Sequence, residues 1–83
     1  ASGSIVEGEV INSVISRNTK IKTGSSVKQS VLFPRVKVGE NATVEYAIVD
    51  KGVEIGEGVV IRGTAEDPIV VKKGQKVTED IIR

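Results

Sequence analysis

The stretch Val38-Gly39-Glu40-Asn41-Ala42 returns 17 residues later as Ile55-Gly56-Glu57-Gly58-Val59 in this 83-residue chain. In each copy an aliphatic residue precedes a glycine, and a small or β-branched residue lies three positions after that glycine. The same shift aligns aliphatic side chains through most of the sequence. The aligned columns are Ile21/Val38/Ile55, Val10/Val27/Val44/Ile61, Ile15/Leu32/Val49 and Val14/Val31/Ile48. Such a repeat indicates stacked units that share one interior.

Each repeat divides into three shorter units. The residues expected to point inward are separated by five, six and six residues in turn. An amphipathic helix would need spacings of three and four residues, and a simple strand would need a spacing of two. We therefore predict triangular coils of three short strands and three corners, with successive coils about 4.8 Å apart. All four aliphatic columns are expected to line the interior.

The composition favours a β domain and excludes several kinds of chemistry. The chain has 15 Val and 10 Ile but one Leu, one Phe and one Tyr, and β-branched residues favour strands. It has no Cys and no His, which excludes disulfides, thiolate or imidazole metal sites, Cys nucleophiles and His bases. Its net charge of +1 favours neither nucleic acid nor a membrane surface as a partner.

We predict a single domain over residues 1–83, with regular coils over 4–62 and an irregular loop and capping tail over 63–83. The segment 69–77 is expected to add one imperfect coil, and Ile81 and Ile82 to lie across the end of the stack as a cap. Residues 1–4 are interpreted as a linker or an expression remnant. The expected coils are Ser4–Lys20, Ile21–Lys37, Val38–Glu54 and Ile55–Arg62, with one corner column of Glu7, Gly24, Asn41 and Gly58.

Charged residues differ between coils. Coil Ile21–Lys37 has four basic residues and no acidic one, namely Lys22, Lys28, Arg35 and Lys37. The next coil is mainly acidic, so the repeat places Lys28, Glu45 and Arg62 in one outward column and Lys37 beside Glu54. These charges are interpreted as a solvated surface that helps to set the register, or as a basic coil that helps to bind an anionic effector.

No catalytic constellation is visible in the sequence. The paired acids Glu7/Glu9 and Glu66/Asp67 are assigned to the surface, and there is no glycine-rich phosphate loop of the type G-x-x-x-x-G-K-[ST]. Phe33-Pro34 is expected to form an outward contact point, with a subunit interface as one alternative. The longest apolar runs are far shorter than a signal peptide or a membrane helix needs, so the protein is expected to be soluble and cytoplasmic.

The segments Val38–Thr43 and Ile55–Val60 resemble the hexapeptide repeat [Ile/Val/Leu]-Gly-x-x-small-x. That repeat is typical of the left-handed parallel β-helix superfamily. The resemblance implies an all-β, left-handed parallel β-helix, a hexapeptide-repeat solenoid with about four to five triangular coils. The acyltransferases and γ-type carbonic anhydrases of the superfamily depend on His, so their activities are disfavoured here.

A closer resemblance covers about Ile5–Arg62. The segment Glu7-Gly8-Glu9-Val10-Ile11-Asn12-Ser13 and the later Val49-Asp50-Lys51, in this order, resemble the C-terminal domain of glucose-1-phosphate adenylyltransferase (ADP-glucose pyrophosphorylase). The tail from Gly63 is more similar to the non-catalytic accessory subunit of bacterial glycogen synthesis. In this family a preceding nucleotidyltransferase domain converts ATP and glucose 1-phosphate into ADP-glucose and pyrophosphate.

The resemblance implies a regulatory and oligomerisation domain with no catalytic residues and no cofactor of its own. Mg²⁺ and ATP would belong to the catalytic domain, which is absent from this chain and would be its partner together with other pyrophosphorylase subunits. Lys51 matches a family Lys that contacts a phosphorylated activator, although Gly52 stands where that motif has Asn. A structural solenoid without enzymatic role and a hexapeptide-repeat acyltransferase, which would need an unusual base, are the alternatives.

Overall fold

The computed structural model describes residues 3–83, so Ala1 and Ser2 of the expected linker lie outside the described residues. Those residues form fourteen short parallel strands and no helix, which confirms the predicted all-β solenoid of about five turns. The strands are β1 (Ile5–Val6), β2 (Glu9–Ile11), β3 (Val14–Ile15), β4 (Lys20–Ile21), β5 (Ser26–Lys28), β6 (Val31–Leu32), β7 (Lys37–Val38), β8 (Thr43–Glu45), β9 (Ala47–Val49), β10 (Glu54–Ile55), β11 (Val60–Arg62), β12 (Ile69–Val71), β13 (Lys76–Val77) and β14 (Ile81–Ile82).

The strands stack into three parallel sheets that form the sides of a prism. Face A contains β1, β4, β7, β10 and β13 in that order. Face B contains β2, β5, β8, β11 and β14, and face C contains β3, β6, β9 and β12. The chain visits A, B and C in turn, so each circuit adds one strand to every face. A short strand followed by a corner is what spacings of five and six residues predict.

The stacking register confirms the repeat of 17 residues through the middle of the chain. Val27 pairs with Val10 on one side and Val44 on the other, and Leu32 lies between Ile15 and Val49. The inward residues of all three faces meet in one apolar core, because no single coil could bury them alone. The buried aliphatic residues are Ile21, Val27, Leu32, Val36, Val38, Ala42, Val44, Ala47, Val49, Val53, Ile55, Val59, Ile61, Ile69, Val71 and Val77.

One aliphatic column does not line the interior, and for it the prediction is wrong. Val14 is 60% exposed and Ile48 is 37% exposed, because both point outward from face C. Successive side chains of a strand point to opposite sides, and the next residues of these strands, such as Val49, occupy the lumen. The inward position on the other side of the column is held by small side chains, Ser30 and Ala47, which are buried.

The first coil is shorter than predicted on face A. Val6 pairs with Ile21, a separation of 15 residues, whereas Val10 pairs with Val27 at the expected 17. Two residues therefore turn the corner between faces A and B in this coil, where later coils use four. As a result Glu7 does not begin the corner column of Gly24, Asn41 and Gly58 as predicted. The Glu7 N–H instead donates to Ile21 O at 2.8 Å, directly after the β1/β4 pairing.

The tail adds strands to each face after a polar loop of residues 63–68. β12, β13 and β14 pair with β9, β10 and β11, so the expected imperfect coil is present. Ile81 and Ile82 do not lie across the end of the stack, because they extend face B as one more parallel strand. Ile81 packs against the core, and the Arg83 guanidinium contacts the Asp67 carboxylate of the loop at 3.1 Å.

Candidate functional site

Lys51 lies at the corner between faces C and A, directly after β9. Its side chain is exposed, and its N–H donates to Asp50 Oδ1 at 2.7 Å. Gly52 follows with a φ of 72°, a left-handed conformation that glycine adopts without strain. This conformation turns the chain from face C to face A and leaves Lys51 at the outermost point of the corner.

The backbone of this corner forms a column of hydrogen bonds from coil to coil. An N–H in each coil donates to a carbonyl of the coil before it, from Arg35 to Arg17 (3.2 Å), Gly52 to Pro34 (3.1 Å) and Gly74 to Lys51 (3.1 Å). The donors share a positive φ with Asn18 of the first coil. The corner therefore has one geometry in four successive coils, which stacks Arg17, Pro34, Lys51 and Lys73 in one column.

Basic side chains project from this corner in every coil. Lys51 is followed one coil later by Lys72 and Lys73, and Arg35 and Arg17 precede it by one and two coils. With coils about 4.8 Å apart, three coil steps correspond to roughly 14 Å. All five side chains are exposed, and Asp50 is the acidic residue within the same corner. We call Arg17, Arg35, Lys51, Lys72 and Lys73 the basic edge.

The basic edge has no acidic partners in the described part of the chain. Three ion pairs form among residues 3–83, and all of them lie on face B or beside it: Lys28–Glu9 at 4.0 Å, Arg62–Glu45 at 3.0 Å and Arg83–Asp67 at 3.1 Å. Arg62 and Glu45 confirm part of the predicted outward column, whereas Lys28 contacts Glu9 rather than Glu45. The other nine basic residues lie on the basic edge, on face A and at the corner after face A.

The basic coil suggested by the sequence is not one surface. Its four residues are distributed around the prism, with Arg35 on the basic edge, Lys37 on face A, Lys22 at the next corner and Lys28 on face B. Residues of one coil point in different directions, and only residues of one column converge. Sequence reasoning therefore identified Lys51 but missed its neighbours Arg17, Lys72 and Lys73. The shift of 17 that aligns Arg17 with Lys51 was the available signal.

Other polar groups do not form a second site. Glu7, Glu9, Glu66 and Asp67 are exposed, as the sequence predicts. No group of three or more acidic side chains within residues 3–83 is placed to hold a metal ion. A shallow cleft of about 220 Å³ on face A is lined by side chains of both charges, including Lys22, Lys37, Glu40, Glu54 and Glu57. Lys37 and Glu54 are paired across strands there, at backbone level.

A family model described as "GlmU-like, C-terminal hexapeptide" matches residues 1–82. The chain belongs to this family. The family supports the hexapeptide-repeat β-helix and a coarse context, that of a C-terminal domain of nucleotidyltransferase-type proteins. Within residues 3–83, the structure contains no helix long and apolar enough to cross a membrane.

Proposed function

We propose that this chain is the C-terminal regulatory and assembly domain of a glucose-1-phosphate adenylyltransferase subunit. The support is the family match over residues 1–82 together with Glu7–Ser13 and Val49–Lys51, which resemble that enzyme's C-terminal domain. In the proposal a preceding domain joins ATP and glucose 1-phosphate to give ADP-glucose and pyrophosphate. ATP and Mg²⁺ belong to that domain, because the described residues of this chain contain no carboxylate cluster that could hold a metal ion.

The regulatory part of the proposal rests on the basic edge. A phosphorylated metabolite carries charge that neighbouring Lys and Arg side chains bind by charge-assisted hydrogen bonds. Lys51 lies in the middle of the basic edge, with Arg35 one coil before it and Lys73 one coil after it. These cations are not neutralised by ion pairs within residues 3–83. An effector bound there would contact three successive coils.

Two measurements on the protein encoded by the natural reading frame test the enzymatic assignment. The first is whether a nucleotidyltransferase domain precedes this chain. The second is pyrophosphate release from ATP and glucose 1-phosphate with Mg²⁺, compared with other pairs of nucleoside triphosphate and sugar 1-phosphate. We expect ATP with glucose 1-phosphate to be the preferred pair. A reading frame without such a domain would favour the structural solenoid, and preference for another pair would refute the adenylyltransferase assignment.

The effector assignment is tested by Lys51→Ala in the same protein. Loss of one hydrogen bond to a charged group costs about 1.5–3 kcal/mol, so the activator concentration for half-maximal response should rise about tenfold or more. Lys22→Ala is the matched control, because Lys22 is also exposed and lacks an ion-pair partner within residues 3–83 but lies at another corner. An unchanged response in Lys51→Ala, or an equal change in Lys22→Ala, would refute the site.

Binding can also be measured on the 83-residue chain with inorganic pyrophosphate as the probe. We expect backbone amide chemical shifts to change at residues 50–53 and at Arg35 and Lys73, and Lys51→Ala to reduce these changes. Equal changes at Lys20, Lys22 and Lys37 would indicate general anion screening and would contradict a site at the basic edge.

A further inference from the structure

The outer surface of face C is apolar, unlike the other two sides of the prism. Its central column consists of Val14, Val31, Ile48 and Val70, one residue from each coil. Phe33 and Tyr46, the two aromatic residues of the chain, lie on its margins and are 39% and 37% exposed. Faces A and B instead present charged residues in most strands. We call the column together with Phe33 and Tyr46 the apolar face.

We propose that the apolar face binds the apolar face of a second copy of this chain, with the two solenoids parallel and related by a twofold axis. The inference rests on the assembly role proposed above, and it adds the surface and the symmetry. A twofold interface uses the same patch on both subunits, so the patch must be complementary to itself.

The area of the apolar face is suitable for such a contact. Its exposed side chains present roughly 400 Å² of apolar surface, at the size where patches on monomers become functional. A standard interface buries about 800 Å² on each partner, of which about 60% is apolar. The apolar face would supply most of that apolar part, and the polar residues around it would form the rim.

Parallel solenoids around a twofold axis bring complementary residues together at the middle of the interface. Coils at the same height face each other with reversed strand direction, so a residue before a strand lies opposite a residue after it. Ile48 then contacts the partner's Ile48, and Val31 contacts the partner's Val31. Tyr46, before β9, lies opposite the partner's Asp50, after β9, whose carboxylate can accept a hydrogen bond from the phenol.

The charges next to β12 are complementary in the same arrangement. Glu66 lies in the loop before β12, and Lys72 follows β12. Each has no ion-pair partner within residues 3–83, while the neighbouring Asp67 already contacts Arg83. The twofold axis places Glu66 on the side of the partner's Lys72, and Lys72 on the side of the partner's Glu66. One pair of charges thus forms twice, at both margins of the interface.

Antiparallel solenoids would pair these groups less well. In that arrangement residues that follow a strand face residues that follow a strand in the partner. Phe33 would lie opposite the partner's Asp50, and Lys72 opposite the partner's Ser16. An aromatic ring against a carboxylate and a lysine without an acid give no favourable charge contact. The charge pattern therefore favours parallel solenoids.

The mass of the 83-residue chain in solution tests the proposal. Light scattering after gel filtration, at about 100 μM protein, should give twice the 8.8 kDa of one chain. A monomer at this concentration would overturn the proposal, and a trimer would overturn its twofold symmetry. Neither result depends on nucleotidyl transfer or on effector binding, so this failure is distinguishable from failure of the proposed function.

Ile48→Glu should weaken association about 100-fold or more, because two carboxylates would meet at the twofold axis. Ile82→Glu is the matched control, since Ile82 is also an exposed strand isoleucine but lies on face B. Circular dichroism should show that both variants keep their β structure. A dimer that persists in Ile48→Glu, or one that dissociates equally in Ile82→Glu, would overturn the assignment of the surface.

A charge-exchange series tests the relative direction of the two solenoids. Lys72→Glu and Glu66→Lys should each weaken the dimer, because each places like charges opposite one another. The double variant should restore the dimer affinity to within about threefold of wild type, since it forms the same pair with reversed signs. A double variant that is as weak as the single variants would overturn the parallel arrangement.

Discussion

Gly39 shows how closely single residues of adjacent coils approach each other. A Cβ at this position would lie 2.8 Å from Glu57 N, Gly56 C and Ile55 O. All three atoms belong to the backbone of the next coil, so a side-chain rotation cannot relieve the contact. Gly56 occupies the equivalent position one coil later, and the nearest atom to a Cβ there would be Val77 O at 3.2 Å. The glycine of the hexapeptide motif therefore has different structural roles in two successive coils.

Replacing each glycine by alanine should separate these roles. We expect Gly39→Ala to lower the free energy of unfolding by about 2–3 kcal/mol, because the stacked backbones must move apart. Gly56→Ala should cost about 1 kcal/mol or less, since a small shift makes room for the methyl group. Urea unfolding at one fixed protein concentration measures both. Equal losses would contradict the role of the close backbone contact.

At the scale of the elements, each strand is stabilised by the strands above and below it. Val44 of β8 is fully buried between Val27 and Ile61. Val10 of β2 has a neighbour on one side, Val27, and is partly exposed. The stability of a solenoid is close to a sum of coil terms and nearest-neighbour interfaces, so the end coil contributes less than the middle coils.

Truncation of one inward valine in each coil should show this gradient. Val44→Ala leaves a cavity that the stacked strands cannot close, and we expect a loss of about 2–3 kcal/mol in unfolding free energy. Val10→Ala should cost about 1 kcal/mol or less, because water already reaches part of this side chain. The comparison uses urea midpoints of the two variants. A larger loss for Val10→Ala would mean that the first coil is more tightly packed than its exposure indicates.

At the scale of the whole molecule, the prism separates its surface chemistry by direction. The basic edge lies between faces C and A, and the apolar face lies beside it. Glu40, Glu57 and Glu79 follow the strands of face A at the next corner, so acidic residues lie along another edge. A nearly neutral net charge therefore hides distinct basic, acidic and apolar surfaces. The open end of the stack at the C-terminus is covered by β14, which contributes Ile81 to the core.

The contribution of β14 can be measured with two adjacent isoleucines. Ile81→Asp places a carboxylate against the end of the core, and we expect a loss of at least about 2 kcal/mol. Ile82→Asp changes the same residue type at a position that is 59% exposed, and should alter stability by about 0.5 kcal/mol or less. Thermal unfolding at fixed protein concentration compares them. Equal stability of the two variants would show that β14 does not seal the core.

The repeat predicted much of the fold, because residues that recur every 17 positions, such as Val27 and Val44, must stack when each coil closes on itself. It also predicted that Lys51 lies at a corner. It could not tell which of two adjacent aliphatic residues faces the lumen, as with Ile48 and Val49. Hydrophobicity is the same for both, and the choice depends on the volume of the lumen and the direction of the strand.

The arrangement of residues from different coils also depended on the three-dimensional structure. A sequence read along the chain groups Lys22, Lys28, Arg35 and Lys37, whereas the coil distributes them over different sides of the prism. The shorter first corner shifts Glu7 relative to the repeat, because two residues suffice where only one neighbouring coil must be matched. Periodicity thus determines which residues stack, and the closure of each coil determines which surface they form.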